Sequence, residues 1–475
     1  MDKIKQKWYF IPIILVFILA LILRVKTYLL ARPLWNDECA LAKYIVDFNF
    51  LNCFNYLNGQ AAPPIFLIIS KVFFSIFHSS DLALRFFPLV CSILSIFVFY
   101  DLSKQILNKK ITVFFALVLF CFNYQLIYFA QEFKQYSSDV LIFLIILTSY
   151  FRLKICEASV KKLIVIGLFY AASVWLSFTS LFAIFTVLSV LAIKNIKEYK
   201  KITFLATPII LSFVLFCISQ RSLSTSDFLH NYWAEGFINS NFSNLFLIIT
   251  NYFIFAFNNL FLFILFFFGL ILKAINIKNE KSLLLLTPVI LAISVSYFSI
   301  YPFTSRVSLY LIPIFILFIV QVVDYINLKN KVINYVLISF IIFFASASVI
   351  ANSFFRTNPD NFEYEDILTP LNIAKQEMSD ADVLYISDGS IISYDYYKKN
   401  FKFKNVIREE KRITNMNEYL KTLNNLPKGK TYYYVYSHSP KKQQRLNDVY
   451  LWAKNKHNFK IYVDKSSNAL IIFTQ

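Results

Sequence analysis

Residues 8–38 read WYFIPIILVFILALILRVKTYLLARPLWNDE, a long apolar run followed directly by a short polar segment. A run of about 20 apolar residues is long enough to cross the hydrocarbon core of a bilayer as a helix. Lys3, Lys5 and Lys7 precede the run, but no small-residue cleavage site follows it, so we predict a retained first span and not a signal peptide. This stretch indicates a membrane protein with charged residues placed just beyond its first span.

The composition of the whole chain supports this class. Of 475 residues, 58% are hydrophobic and only 16% are charged, whereas soluble domains carry about 25% charged residues. Similar apolar runs recur along the chain as far as residue 353. They predict about eleven spans, near 8–30, 84–103, 111–129, 137–153, 162–178, 180–194, 202–219, 251–272, 283–300, 308–326 and 332–353.

Several kinds of functional site are excluded by the residue content. The six glycines are too far apart for a G-x-G-x-x-G or Walker loop, which argues against a nucleotide site. The four histidines and six cysteines show none of the spacings typical of zinc sites. We therefore expect no metal and no cofactor, although the sequence leaves open a divalent cation that bridges carboxylates and phosphate.

The distribution of positive charge predicts the orientation. With Met1 in the cytoplasm, the N-terminus and inner loops hold nineteen Lys and Arg residues and the outer loops about seven, as the positive-inside rule requires. Because the cations are spread over many short loops, the net charge of +19 does not indicate a nucleic-acid partner. Five acids in or beside the inner loops are expected to be solvated: Asp101, Glu157, Glu198, Glu280 and Asp324.

We predict two domains. Residues 1–353 form a membrane domain, whose first outer loop at about 31–83 contains interfacial helices, including an apolar segment at 63–77 that is too short to span. The odd number of spans places residues 354–475 outside the cytoplasm, where they form a small extracytoplasmic α/β domain. Its predicted strands are 383–387, 431–436, 459–463 and 469–473, and its predicted helices are 364–378, 390–399, 414–425 and 440–456.

Acidic residues gather on the predicted outer side. Asp37 and Glu38 follow the first span, and Glu132 lies after the third span in residues 130–136 (AQEFKQY). A base at the interface, together with cations that hold a phosphate, would suit transfer from a lipid-borne group to an external acceptor. The alternative is an ordinary set of charges that contact lipid headgroups. The cations predicted on the same side are Arg24, Arg32, Arg85, Lys134 and Arg306.

Two further features of the outer loops leave alternatives open. The loop at 220–243 carries Asp227, His230, Trp233 and Glu235, which could hold a sugar, although an interfacial Trp at least as often anchors a loop. Cys39 and Cys53 could pair in an oxidising exterior or remain free thiols.

A fixed order of short motifs runs through the membrane domain. It consists of Arg24, residues 34–38 (LWNDE), 62–64 (APP), 84–88 (LRFFP), 131–136 (QEFKQY) and 301–306 (YPFTSR), the last leading into Tyr310 and Pro313. This order resembles that of bacterial C-type glycosyltransferases, the multi-spanning enzymes related to protein O-mannosyltransferases and lipid A aminoarabinose transferases. The resemblance covers residues 1–353, and each motif alone is short.

The resemblance implies an inverting hexosyl- or pentosyltransferase in a bacterial inner membrane. Its partners would be a polyprenyl-phosphate-linked sugar as donor, membrane lipid, and an acceptor glycan, lipid or protein on the outer face. Asp37 would be the catalytic base, with Glu38 as its paired acid. The remaining roles implied are a catalytic one for Glu132, donor-phosphate binding by Arg24, Arg85, Lys134 and Arg306, and acceptor binding by Tyr136, His230, Trp233 and Glu235. At Lys134 the family usually has Arg, so bidentate phosphate contact is lost there.

Two other classes of function remain as alternatives. A transporter or flippase of a lipid-linked glycan would bury its charges near the membrane midplane and carry paired half-helices, whereas these acids gather at one face. A membrane anchor that presents the C-terminal tail for binding would tolerate any change at Asp37.

Overall fold

The structure is a computed structural model that describes residues 2–47, 50–54, 57, 59–77, 80–238, 242–362, 364–410, 413, 415–437, 442–463 and 468–475. Most of these residues are helical. In chain order the α-helices are α1 (Asp2–Leu29), α2 (Asn36–Asp47), α3 (Pro64–Ile76), α4 (Asp81–Ile106), α5 (Lys110–Cys121), α6 (Tyr124–Tyr128), α7 (Tyr136–Leu153), α8 (Val160–Leu176), α9 (Ser180–Lys194), α10 (Tyr199–Ser219), α11 (Arg221–Ser224), α12 (Asp227–Tyr232), α13 (Phe242–Ala256), α14 (Leu260–Ile275), α15 (Glu280–Tyr297), α16 (Ile312–Tyr325), α17 (Lys331–Arg356), α18 (Leu368–Glu377), α19 (Ile391–Tyr397), α20 (Met416–Asn424) and α21 (Lys442–Ala453). The strands are β1 (Val383–Ile386), β2 (Val406–Arg408), β3 (Thr431–Tyr436), β4 (His457–Val463) and β5 (Ala469–Thr474).

The chain divides into two compact units. The first, here called the membrane unit, consists of Met1–Leu30 and Phe48–Asn361. The second, here called the C-terminal unit, consists of Ala31–Asp47 and Phe362–Gln475. The C-terminal unit therefore includes α2, although α2 follows directly after the first span in the chain.

The membrane unit contains the spanning helices. Among the described residues, seven helical stretches are long and apolar enough to cross a membrane: Ile11–Leu29, Asp81–Ile106, Tyr136–Leu153, Ile196–Ser219, Glu280–Tyr297, Ser305–Tyr325 and Lys331–Arg356. An eighth is formed if Lys110–Cys121 and Tyr124–Gln131, which bend by 53° relative to each other, count as one span. The prediction of a mostly helical, multi-pass protein is confirmed, but the count of eleven spans is not.

Local capping explains part of the difference in span count. The predicted span at 251–272 is two helices, α13 and α14, because the chain turns between them. Asn258 has a positive φ of 45°, and the side chain of Asn259 caps α14 by accepting a hydrogen bond from the Leu262 amide at 3.0 Å. The apolar pattern of the sequence runs through this break without interruption. Periodicity alone therefore could not locate it.

Burial differs strongly among the spans. In the span at Ser305–Tyr325, 94% of the residues of its apolar window are buried in the protein, whereas the corresponding share in the span at Ile196–Ser219 is 11%, so most apolar side chains there face outward. Gly269 of α14 allows a close contact with α16, because a Cβ built on this glycine would lie 1.8 Å from the Phe318 carbonyl oxygen. Small residues commonly permit such close helix approach in membranes.

Asp324 does not have the solvated position expected of it. It is only 5% exposed, at the end of α16, and its carboxylate caps the start of α5. It accepts hydrogen bonds from the Asn108 amide at 3.1 Å, the Lys109 amide at 3.0 Å and the Thr112 hydroxyl at 2.7 Å. A carboxylate at a helix N-terminus satisfies amides that lack intrahelical partners and interacts favourably with the helix dipole.

The C-terminal unit is the α/β domain expected, built on a five-stranded sheet in the order β2-β1-β3-β5-β4. Strands β1, β2 and β3 are parallel, and β5 pairs antiparallel with β3 and β4. The four predicted strands correspond to β1, β3, β4 and β5, whereas β2 has three residues and is too short to show a pattern. The four predicted helices correspond to α18 to α21, with residues 414 and 440–441 of those predictions lying outside the described residues.

A buried charged cluster lies at the carboxyl ends of the parallel strands. Arg445 donates to Asp388 Oδ1 and to Glu409 Oε1, both at 2.8 Å, and its guanidinium lies 3.9 Å from the centre of the Tyr419 ring. Burial raises the pKa of Glu409 to about 7, although Arg445 acts in the opposite direction. Asp388 begins the connection from β1 to α19, so this cluster fixes the start of that connection.

We predict that Asp324→Asn lowers the free energy of unfolding of the full chain by about 3 kcal/mol, because two amides and a hydroxyl lose a charged acceptor. Thermal unfolding in detergent micelles should show a melting temperature lower by several degrees. The matched control is Glu157→Gln, which neutralises an exposed acid whose ion pair with Lys154 spans 3.7 Å. Its melting temperature should equal that of the wild type, and an equal fall in both variants would contradict a capping role for Asp324.

Candidate active site

The predicted catalytic base lies in the first turn of α2, in the C-terminal unit. Trp35 is the N-cap, since its carbonyl accepts the first helical hydrogen bond, from the Cys39 amide at 2.9 Å. The Trp35 amide in turn donates to Glu38 Oε2 at 3.2 Å. This is the reciprocal half of a capping box, in which an acid at the third helical position closes the helix start. The sequence forms this turn because it places Asn36, Asp37 and Glu38 immediately after the cap.

The two adjacent acids are in different environments. Glu38 is fully buried, at 0% exposure, and its described hydrogen bond goes to the helix start. Asp37 is partly exposed and occupies the second helical position, where a helix dipole stabilises a negative charge. Of the pair, Asp37 is therefore the carboxylate that a ligand could reach, and Glu38 is the one that holds the turn.

The second predicted motif is buried in the membrane unit. Lys134 is 4% exposed, and its Nζ donates to Gln60 Oε1 at 2.7 Å. Gln135 donates to the Ala61 carbonyl at 3.3 Å, and Phe133 stacks on Phe66 with ring centres 5.8 Å apart. Residues 131–136 thus pack against the residues on both sides of the motif at 62–64.

Other predicted residues in this part of the unit are also buried. Glu132 is 2% exposed directly before Phe133, and Arg85 is 1% exposed in the second turn of α4. Tyr136 is 5% exposed at the start of α7, where its ring lies edge-on to Phe129 at 5.2 Å.

Arg24 joins three helices inside the membrane unit. It is 0% exposed in α1, and its Nε donates to the Ser92 hydroxyl of α4 at 2.9 Å. Its Nη1 donates to the Cys121 carbonyl at 3.1 Å, at the end of α5, and to the Ala20 carbonyl at 3.2 Å. These described contacts are with neutral groups at the bend between α5 and α6, so Arg24 supports the bent helix pair.

Arg306 lies beside the predicted acceptor residues. Its Nη2 donates to the Tyr232 hydroxyl at 3.2 Å, and its guanidinium is 5.6 Å from the centre of the Trp233 ring. The Phe303 amide donates to the Gly236 carbonyl at 2.9 Å, which ties the loop at 301–306 to the loop at 227–236. His230 and Glu235 are exposed in the same loop. This cation and an aromatic platform therefore share one surface.

Some relevant residues were not singled out from the sequence. Gln60 is the described partner of Lys134, and its only sequence signal is its position just before residues 62–64. Asp139 is 2% exposed inside α7 and accepts a hydrogen bond from the Ser177 hydroxyl at 2.6 Å. Nothing in the local pattern distinguishes either residue from its neighbours.

Two cysteines of the predicted first outer loop are buried in the structure. These are Cys39 and Cys53, and the Cys39 thiol donates to the Leu34 carbonyl at 3.2 Å. Within the described ranges, no group of three His, Cys, Asp or Glu side chains is close enough together to hold a metal ion.

The arrangement of helices and sheet is similar to the fold of C-type glycosyltransferases, as the motif order indicated. Residues 61–219 match the family model described as dolichyl-phosphate-mannose-protein mannosyltransferase. No curated protein sequence matches the chain significantly.

Solved structures support the same fold over nearly the whole chain. ArnT from Cupriavidus metallidurans bound to undecaprenyl phosphate is 12% identical, with 97% of each chain covered and a TM-score of 0.52. Its apo state is also 12% identical, with 98% of each chain covered and a TM-score of 0.51. The Archaeoglobus fulgidus oligosaccharyltransferase in complex with Zn and sulfate is 12% identical over 83% of this chain and 62% of that chain, with a TM-score of 0.45.

We predict that Glu38→Ala and Glu38→Gln differ in their effect on the start of α2. Gln can complete a capping box, whereas Ala leaves the Trp35 amide without its described side-chain acceptor. Hydrogen exchange of the Trp35 amide, followed by mass spectrometry of the full chain in micelles, should be about fivefold faster in Glu38→Ala. It should remain close to the wild-type rate in Glu38→Gln. Equal acceleration in both variants would indicate that the charge of Glu38, and not its cap, matters.

Proposed function

We propose that this protein is an inverting glycosyltransferase that moves a sugar from a polyprenyl-phosphate donor to an acceptor on the outer face of a bacterial inner membrane. The observation that carries the proposal is the fold likeness, over 97% of the chain, to a protein bound to undecaprenyl phosphate. The family match at residues 61–219 supports transfer from a lipid-linked donor. The positive-inside distribution of Lys and Arg supports a cytoplasmic N-terminus and an external C-terminal unit.

In the proposed reaction, Asp37 is the general base. It accepts the proton of the acceptor nucleophile, whose lone pair forms a new bond to the anomeric carbon of the sugar. The bond between that carbon and the phosphate oxygen breaks at the same time, and its electron pair leaves with the lipid phosphate. Attack opposite the leaving group inverts the anomeric configuration. The partial exposure of Asp37 supports this role, and the buried cap contact of Glu38 supports a positioning role beside it.

Positioned cations would stabilise the departing phosphate. Arg306 is the best supported, because it is partly exposed and lies next to Trp233. Lys134, whose Nζ is bound to Gln60, would make a single charged contact with the phosphate. An arginine in its place could make a bidentate contact. Arg85 and Arg24 complete the proposed set, and Glu132 lies within the same motif as Lys134.

The acceptor would bind at the loop 227–236. The Trp233 ring offers a flat apolar surface of the kind that sugar rings stack on, and His230 and Glu235 are exposed beside it. Tyr136 is the remaining proposed contact. A sugar stacked on Trp233 would lie close to the Arg306 guanidinium, so this loop supports both acceptor and phosphate binding.

A transporter or flippase of a lipid-linked glycan is the second candidate function. One observation favours it: the helix pair Lys110–Cys121 and Tyr124–Gln131 is bent by 53°, and broken helices are typical of transporter substrate sites. In such a protein the donor would cross the membrane intact, and no bond to the sugar would break.

We predict that a deletion strain lacks one sugar in the mass profile of its surface glycans or glycolipids. Wild type and Asp380→Asn should restore that sugar at equal expression, since Asp380 is an exposed acid of the C-terminal unit, outside the proposed site, that undergoes the same chemical change. Asp37→Asn should lower the product by about a hundredfold or more, as expected for loss of a general base.

Two outcomes would contradict this assignment. Full restoration by Asp37→Asn would show that Asp37 is not the base. Loss of an entire glycan from the surface, with accumulation of the same glycan on its lipid carrier, would favour the transporter.

We also predict that turnover does not require a divalent metal ion. Membranes that contain the protein should transfer sugar from the host's lipid extract at the same rate before and after treatment with EDTA. Loss of turnover that is restored by Mg²⁺ or Mn²⁺ would contradict the prediction and indicate an ion bridging carboxylate and phosphate.

A further inference from the structure

Helix α2 packs on helix α19 within the C-terminal unit. The Leu34 amide, just before the helix cap, donates to the Tyr397 hydroxyl at 2.7 Å. The Ser393 hydroxyl donates to Asn36 Oδ1 at 3.3 Å. All four residues are buried, between 1% and 7% exposed. Two hydrogen bonds therefore connect the turn before Asp37 with α19, and each joins residues more than 350 positions apart in the chain.

These bonds complete the start of α2. The amides at a helix start have no intrahelical acceptors and must find other partners, and a buried amide just before the cap likewise needs an acceptor. Here the Trp35 amide binds Glu38, inside the helix, and the Leu34 amide binds Tyr397, outside it. The direction in which α2 leaves this turn, and with it the position of Asp37, is therefore set partly by a side chain of the C-terminal sequence.

Helix α19 is itself firmly held. It follows β1 through the connection at Asp388–Ser390, where Asp388 forms its ion pair with the buried Arg445. The Ser390 hydroxyl donates to the Ser437 carbonyl at 3.4 Å, at the end of β3. A catalytic group keeps a productive geometry only when the residues around it are locked by such packing and hydrogen bonds.

We propose that Tyr397 and Ser393 are positioning residues for Asp37, so that the C-terminal unit takes part in sugar transfer by fixing the helix that carries the base. This inference rests on the proposed function, in which Asp37 is the base. Neither residue touches the substrate in this scheme. Their loss leaves Asp37 chemically intact and misplaces it, which lowers the maximal rate and leaves donor binding unchanged.

The test compares Tyr397→Phe with Tyr432→Phe in the purified full chain. The control is matched because the Tyr432 hydroxyl also bonds to a backbone group, the Pro427 carbonyl at 2.9 Å, in the same unit. The rate of transfer is measured against increasing amounts of the host's lipid extract, with the sugar found in the glycan profile as the readout. Amide exchange of residues 34–38 and the melting temperature are measured in parallel.

We expect Tyr397→Phe to lower the maximal rate about tenfold without changing the half-saturating amount of lipid extract. Amide exchange at residues 34–38 should be about fivefold faster in this variant, as expected for one lost hydrogen bond. Tyr432→Phe should leave both quantities at the wild-type level, while both variants shift the melting temperature by a similar amount. Equal rates for the two variants would overturn the inference.

A second variant tests the inference if Tyr397→Phe does not accumulate as folded protein. Ser393→Ala removes the other hydrogen bond to the same turn, and a wild-type maximal rate in that variant would then overturn the inference. Asp37→Asn separates the two proposals. If Asp37→Asn is inactive while Tyr397→Phe behaves like its control, only the positioning inference fails. If Asp37→Asn retains the wild-type rate, the assignment of the base fails, and the inference fails with it.

Discussion

A helix that ends inside a membrane protein must satisfy its terminal amides and carbonyls without help from water, and α5 shows how this chain meets that constraint. Its 12 residues extend only about 18 Å, whereas the hydrocarbon core is about 30 Å thick. The Asp324 carboxylate accepts hydrogen bonds at the N-terminus of α5, and the Arg24 guanidinium donates to the Cys121 carbonyl at its C-terminus. Each charge has the sign that the helix dipole favours at that end.

This constraint gives a physical reason for charges that the sequence alone presents as isolated. Arg24 lies in an apolar span, and a guanidinium there is costly unless its donors are used. In the structure it binds Ser92 and two carbonyls where the chain bends by 53°. Because Arg24 of α1 and Asp324 of α16 cap the two ends of α5, and Ser92 of α4 binds Arg24, the positions of these helices depend on each other.

The sequence predicts most of the fold because apolar runs and alternating strands are local signals. Four of the five strands and the multi-pass architecture follow from such patterns. The break at Asn258, the burial of Asp324 and the short strand β2 do not, since each depends on capping or pairing with residues distant in the chain. The placement of α2 with the C-terminal unit is the largest such case. Its contacts with α19 join residues that no local pattern relates.

The candidate site shows the same limit at the level of single side chains. Asp37 and Glu38 are adjacent acids with equivalent sequence signals, and only the fold separates a partly exposed carboxylate from a fully buried cap. Lys134 could be recognised from its motif, but its partner Gln60 could not. Motifs thus identify where reactive residues lie, whereas their division into chemical and supporting roles requires the hydrogen bonds.

The contacts of Arg306 link two loops of the proposed site. Its guanidinium binds the Tyr232 hydroxyl and faces the Trp233 ring, and the loop that carries it is tied to Gly236 by a backbone hydrogen bond. A Cβ built on Gly236 would lie 2.7 Å from Thr304, so even a small side chain there would push the two loops apart. A change in the loop 227–236 would therefore also move this cation. If Arg306 holds the donor phosphate, acceptor specificity in this protein cannot change without altering how the leaving group is stabilised.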